Sequence, residues 1–187
     1  MNKNPTTEQI NELIKIYQSG DIDKAENISI SISRDYPSHP FSFKILGLIY
    51  EKKRKYTDSI DANKKAILLS PNDPDLYNNI ADAYDKIGKL NDAIENYNTA
   101  IKIKKDYFLS YYNLGIIYQK TNNFNKAEEN FNYVLNYKPD FIAAYINLIF
   151  RCIIIYPIKK MMCKRSSNKQ INIILIFIVN DYIYVVK

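Results

Sequence analysis

Few side chains in this chain of 187 residues can do covalent or metal chemistry. There is one histidine, His39, and there are two cysteines, Cys152 and Cys163, too few to complete a zinc site or a disulfide framework. The sequence has no glycine-rich phosphate loop, nucleophile elbow or His-Glu-x-x-His pair, so no catalytic residue, metal or cofactor is assigned and an enzyme is not expected. His39 stands between Ser38 and Pro40 and reads as a solvated turn residue, and Lys52-Lys53-Arg54 and Glu128-Glu129 read as solvated helix surface. What the sequence offers instead is amide chemistry at a fixed interval. Asn11, Asn79, Asn113 and Asn147 share one 34-residue period, with Ile45 in the remaining place. An amide carries donors and an acceptor, so a row of them can bond the C=O and N–H of a passing peptide without reading its side chains.

A row of that kind needs a scaffold with the same period. Ala25, Ser59, Ala93 and Ala127 are each 34 residues apart, with Leu13, Gly47, Ala81 and Gly115 twelve residues before them and Pro37, Pro71, Lys105 and Pro139 twelve after. Phe43, Tyr77, Tyr111 and Tyr145 keep the interval, as do Tyr50, Tyr84 and Tyr118. Internal repetition of this length marks a solenoid of supersecondary units. Within a unit, Phe43, Leu46, Gly47 and Tyr50 are spaced i, i+3, i+4, i+7, the pattern of a helix with one apolar face.

Each unit therefore contains two helices, broken at Gly20, Arg54, Gly88 and Asn122, where the chain must turn. The spacing predicts helices at about 7–19 and 22–35, 41–53 and 56–69, 75–87 and 90–103, 109–121 and 124–137. The small residues Gly47, Ala81 and Gly115 are expected where the two helices of a hairpin cross, with Tyr50, Tyr84 and Tyr118 filling the space beside the crossing. Pro71 and Pro139 stop the second helix, and Asn72-Asp73-Pro74-Asp75 supplies caps for the next.

The run Tyr111, Leu114, Gly115, Tyr118, Ala127, Phe131, Pro139 resembles a tetratricopeptide repeat (TPR), as does Tyr77, Ile80, Ala81, Tyr84, Ala93, Tyr97, Ala100 in the unit before it. The resemblance implies an all-α fold, a right-handed α-solenoid of helix-turn-helix hairpins with four repeats plus a partial fifth, in units 6–39, 40–73, 74–107, 108–141 and 142–148. The first unit departs most, with Gln9, Leu13, Ile16 and Ser29 at aromatic and small positions, and reads as an end cap. In such a solenoid the first helices line a concave groove. The expected peptide-binding residues are Asn11, Lys44, Asn78, Asn79, Asp82, Tyr112, Asn113 and Asn147, beside Phe41, Leu48, Asp85, Leu109 and Ile116.

The asparagine row is similar to that of the TPR arm of O-linked N-acetylglucosamine transferases, which implies contact with the backbone of a protein substrate. The clamp that other TPR proteins use for a chaperone's C-terminal carboxylate is matched only at Lys44 and Asn79, since Leu48, Leu109 and Asn113 occupy its remaining places. Two functions are thus carried forward. One is a non-enzymatic scaffold that binds a protein or peptide segment; the other is the substrate-recruiting arm of a larger transferase whose catalytic domain is missing from this chain.

Charge divides the chain. Residues 1–148 hold 19 basic and 19 acidic side chains, and 149–187 hold 7 and 1. The repeats are neutral, so nucleic acid is not an expected partner despite the net charge of +6, and no membrane contact is expected for 1–148. Residues 1–5 read as a disordered lead with no apolar segment of a signal peptide, and a cytoplasmic location is expected. At Ile149 the repeat register fails. The tail 149–187 admits three readings: a membrane-contacting segment around Ile171–Val179, a β-rich docking or aggregating segment, or the translation of a shifted frame or retained intron in an AT-rich genome.

Overall fold

The computed structural model describes residues 4–155, and every regular element among them is a helix. The first hairpin is α1 (Thr7–Ser19) with α2 (Ile22–Asp35), the second α3 (Pro40–Lys52) with α4 (Tyr56–Leu69). The third is α5 (Pro74–Lys86) with α6 (Leu90–Ile103), the fourth α7 (Phe108–Lys120) with α8 (Phe124–Tyr137), and α9 (Ile142–Ile155) opens a fifth. Each helix packs on the next, and α5 also touches the first helices on either side of it, α3 and α7. This is the expected all-α solenoid of repeated hairpins. Among the described residues no helix is long and apolar enough to cross a membrane.

All second helices lie where the spacing puts them, while α3, α5 and α7 begin and end one residue earlier than expected. Pro40 and Pro74 take the first helical position, where a missing N–H costs nothing and a fixed φ is already helical. The residue before each is the cap. Asp73 accepts from the Asp75 amide at 3.0 Å, and the His39 imidazole, expected to be idle in a turn, accepts from the Phe41 amide at 3.4 Å.

The turns inside the hairpins confirm a single conformation at one repeated position. Gly20, Arg54, Gly88 and Asn122 have φ of 86°, 57°, 78° and 58°. One residue further on, the N–H groups of Lys55, Lys89 and Asn123 bond back to the carbonyls of Tyr50, Tyr84 and Tyr118 at 2.8, 2.9 and 2.7 Å, closing the helix end. Arginine at a left-handed position sets its Cβ against the following carbonyl. Glycine relieves that contact but gains freedom in the unfolded chain, so Arg54→Gly should raise stability by about 0.5–1 kcal/mol. A urea titration checks it: the midpoint should rise with an unchanged slope.

At the hairpin crossings the small residue faces a residue of the second helix, and Tyr84 and Tyr118 pack beside the crossing as expected. A Cβ on Gly115 would stand 2.5 Å from the Phe131 ring, and one on Gly47 would overlap the Asn63 amide. Phe131 and Asn63 occupy the same repeat position, so the paired columns are Leu13 with Ser29, Gly47 with Asn63, Ala81 with Tyr97, and Gly115 with Phe131. Size trades across each pair. Asn63 is fully buried and is satisfied through a bond to the Ser59 carbonyl at 2.9 Å, while the Ser59 hydroxyl donates to the Gly47 carbonyl at 2.8 Å. Tyr50, Tyr84 and Tyr118 also present their rings to the ammonium groups of Lys55, Lys89 and Lys126 at 5.9, 6.0 and 5.2 Å.

α9 does not end where the repeat pattern does. It runs through Leu148 to Ile155, and Ile149, the first residue outside the pattern, is buried. Losing the repeat spacing changes which faces can pack, whereas helix propagation needs only compatible backbone. The three readings of the tail concern residues that, from 156 onward, lie outside the described residues.

Candidate functional site

α5 places Asp75, Asn78, Asp82 and Asp85 at i, i+3, i+7 and i+10, which is one face of a helix. Each of them accepts a hydrogen bond from the next repeat. The Tyr107 hydroxyl donates to Asp75 at 2.6 Å, the Ser110 hydroxyl to Asn78 at 3.0 Å, the Asn113 amide to Asp82 at 2.9 Å and the Lys120 ammonium to Asp85 at 2.6 Å. From the preceding repeat, Lys44 donates to Asp73 and Asp75 at 2.8 and 2.7 Å. A polar seam thus joins α3, α5 and α7. One place in the preceding joint lacks its counterpart: Ser42, the repeat equivalent of Ser110, is buried with an unpartnered hydroxyl.

The expected groove residues divide accordingly. Asn78 is only 6% exposed and its amide donates to Asp82 at 2.9 Å, so it belongs to the seam rather than to an open surface. Asn113 is committed to Asp82, and Asn147 donates to the Tyr112 hydroxyl at 3.2 Å and to its own helix. Lys44 is held by two carboxylates and so is not the free cation a carboxylate clamp requires. Asn79, whose amide lies 3.5 Å from the Asn63 oxygen, is the least engaged of the central amides. Asn11 is exposed on α1 and takes no part in the seam. Lys53, read as solvated surface, bridges Asp23 and Glu26 of the first unit.

Between α3, α5, α6 and α7 lies a concave pocket of about 500 Å³, lined by Glu51, Asp82, Tyr97, Asn113, Ile116 and the chain's Asp85, Lys86 and Lys120. A second hollow of about 460 Å³ over the Thr121–Asn125 turn carries no ionisable side chain. Glu51 and Tyr97 were not among the expected groove residues. Glu51 was legible as a column, because Glu51, Asp85 and Gln119 are successive repeat equivalents. Tyr97 was visible only as core.

The electrostatics of the pocket follow from who is paired. Burial raises the Asp75 carboxyl, but Lys44 and the Tyr107 hydroxyl together bring it below its ordinary value. Lys44 feels burial as a downward pull that Asp73 and Asp75 more than offset, so its ammonium is held on. Asp85 has Lys120. Asp82 has no ion pair: burial pushes its carboxyl up to about 6, helped by the nearby Glu51 charge and opposed by the Tyr97 hydroxyl bond. The Glu51 carboxylate makes no hydrogen bond or ion pair among the described residues, and burial raises it too, against the attraction of Lys86. Tyr97, facing Asp82 from α6, is driven to hold its proton by burial and by that carboxylate. The pocket can therefore accept positive charge and hydrogen-bond donors; among the described residues no cluster of His, Cys, Asp and Glu could hold a metal.

Comparison with known proteins agrees with this architecture. Residues 62–95 and 108–141 match models described as tetratricopeptide repeat and residues 86–122 a model described as TPR repeat, so the chain carries tetratricopeptide repeats. A crystal structure of MamA is 26% identical, covers 74% of this chain and 81% of its own, and superposes with a TM-score of 0.68. The APC/C hetero-tetramer Cut9-Hcn1 is similar in fold at 18% identity, covering 75% of this chain and 28% of the other, with a TM-score of 0.71. The first TPR of Spaghetti (RPAP3), bound to the HSP90 peptide SRMEEVD, is 26% identical over 59% of this chain and 88% of its own, with a TM-score of 0.57. No curated protein matches the sequence.

Proposed function

We propose that this chain is a non-enzymatic interaction module whose groove binds a protein segment through a lysine or arginine placed between Glu51 and Asp82. The observation that carries the reading is the accounting of charge along the seam. Asp73 and Asp75 share Lys44, Asp85 has Lys120, and Glu51 and Asp82 make no ion pair among the described residues, with Lys86 acting on both only at longer range in their concave pocket. A guanidinium from a ligand would supply a close cation and bond both carboxylates, while Ile116 and Leu48 offer apolar contact to the flanking residues. Asn79, whose amide nitrogen makes one long bond to Asn63, has its oxygen left to accept from the ligand's backbone.

The similar TPR domain of Spaghetti holds a peptide, which supports the use of such an array for a linear segment. Its peptide is acidic at the C-terminal end, whereas the pocket described above is matched to a basic side chain.

Blocked synthetic peptides with a central arginine, leucine or glutamate, measured by fluorescence anisotropy, test the reading. The arginine peptide should bind at least about tenfold more tightly than the leucine one, the weight of one charge-assisted hydrogen bond. Glu51→Gln should remove most of that preference without lowering thermal stability, because the Glu51 side chain makes no hydrogen bond or ion pair among the described residues and burial already disfavours its charge. Equal binding of all three peptides would end the proposal.

A further inference from the structure

Asp82 is built to exist in two charge states. Its carboxylate oxygens accept from Asn78, Asn113 and the Tyr97 hydroxyl, and Asn78 in turn accepts from the Ser110 hydroxyl at 3.0 Å. In this arrangement every donor has an acceptor and the carboxyl is charged. If Asp82 takes a proton on the oxygen facing Asn78, two donors meet there. An amide is nearly the same shape with its oxygen and nitrogen exchanged. A half-turn of the Asn78 amide therefore lets its oxygen accept the new Asp82 O–H at the present 2.9 Å separation and lets its nitrogen donate to Ser110, whose hydroxyl reorients to accept. Both states keep the Asp82 carboxyl bonded to the Asn78 amide and the amide bonded to Ser110, with no heavy atom displaced beyond that exchange.

We propose that Asn78 and Ser110 form a relay through which Asp82 changes charge while keeping its hydrogen bond to the Asn78 amide, so that arrival of a cationic ligand beside Asp82 is coupled to release of one proton. The coupling rests on the reading of the groove given above; the relay does not. Charged and titratable groups face Asp82 from every side: Glu51 on α3, Asp85 and Lys86 on α5, Tyr97 on α6 and Lys120 on α7. Glu51 and Asp85 disfavour the ionised form, Lys86 favours it, and Lys120 is already taken by Asp85. A further cation entering from outside tips this balance toward the ionised form, and the proton then leaves Asp82 for solvent while the Asn78 amide returns to its present orientation. The pocket's own burial has already moved the carboxyl close to neutrality in pH, to about 6, so the exchange falls in an accessible range.

The test uses the full chain, isotopically labelled, in two steps. In the free protein, the Asp82 carboxyl carbon and the Asn78 side-chain amide should titrate by NMR with one shared midpoint near 6, and Ser110→Ala should shift that midpoint by removing the partner the flipped amide needs. An Asn78 amide that stays flat through the Asp82 titration, or an Asp82 midpoint below about 4.5, overturns the relay. Adding the arginine peptide should then lower the Asp82 midpoint by a unit or more, equivalent to a tenfold gain in affinity for each pH unit climbed below it. A peptide that binds and leaves the midpoint in place overturns the coupling. Failure of every peptide to bind sinks the groove reading and with it the coupling, while the relay has been decided by the first step.

Discussion

Gly115→Leu is expected to cost about 3 kcal/mol, the upper end of what overpacking a core does. The side chain has nowhere to go. Its first carbon would already stand 2.5 Å from the Phe131 ring, and that ring is 1% exposed in a cluster with Val134, Ala127 and Ala144. Phe131→Ser should cost at least as much, because it opens a ring-sized cavity and strands a hydroxyl. The informative variant is the double one. The first repeat carries Leu13 and Ser29 at these same two positions, both fully buried, so leucine opposite serine is a pairing this architecture tolerates. Gly115→Leu with Phe131→Ser should therefore lose less than the sum of the singles by at least about 1–2 kcal/mol, a coupling that urea denaturation of the four proteins measures. Strictly additive losses would show that the two columns do not trade size at the crossing.

The double variant also shows what kind of information the sequence held. The 34-residue period located all four turn positions, Gly20, Arg54, Gly88 and Asn122, because a left-handed turn selects for residue type locally. It located every second helix for the same reason. At the crossing the small residues and the tyrosines beside them were legible, while the residues that face the small ones, Ser29, Asn63, Tyr97 and Phe131, were not, because they differ from unit to unit. A column that varies by compensation looks like no column at all. Asn78 and Asn113 were read as open groove because they lie on the first helices. Burial by the following repeat, which sets Ser110 against Asn78 and Asn113 against Asp82, is a property of stacking and has no signature within one unit. The links Asp75 to Tyr107 and Asp85 to Lys120 span 32 and 35 residues. They were within reach once the period was known, since residues about one repeat apart on successive first helices must be neighbours.

Asp82→Asn should reverse its effect with pH. The folded carboxyl is raised from its ordinary 3.8 to about 6, so the proton is bound more tightly in the folded chain than in the unfolded one. Stability from that difference is complete below pH 4 and is lost as pH climbs through 6, where the buried group must ionise. Two units correspond to about 3 kcal/mol, and asparagine, which is never charged, escapes the loss. It does so imperfectly, because one of its two polar atoms is a donor where the carboxylate offered an acceptor to Asn78 or Asn113. The variant should thus be more stable than the parent by about 1–2 kcal/mol at pH 8 and equal to it or weaker at pH 4, with the two profiles crossing between. Glu51, whose carboxyl burial also raises, is coupled to Asp82 by charge repulsion, so its own contribution to the slope should also relax in the variant. Thermal melts of the pair at a series of pH values decide the matter. Parallel profiles would mean that Asp82 titrates as an ordinary surface acid, and that the unpaired charge on which the groove's preference for a basic ligand depends is already compensated within the chain.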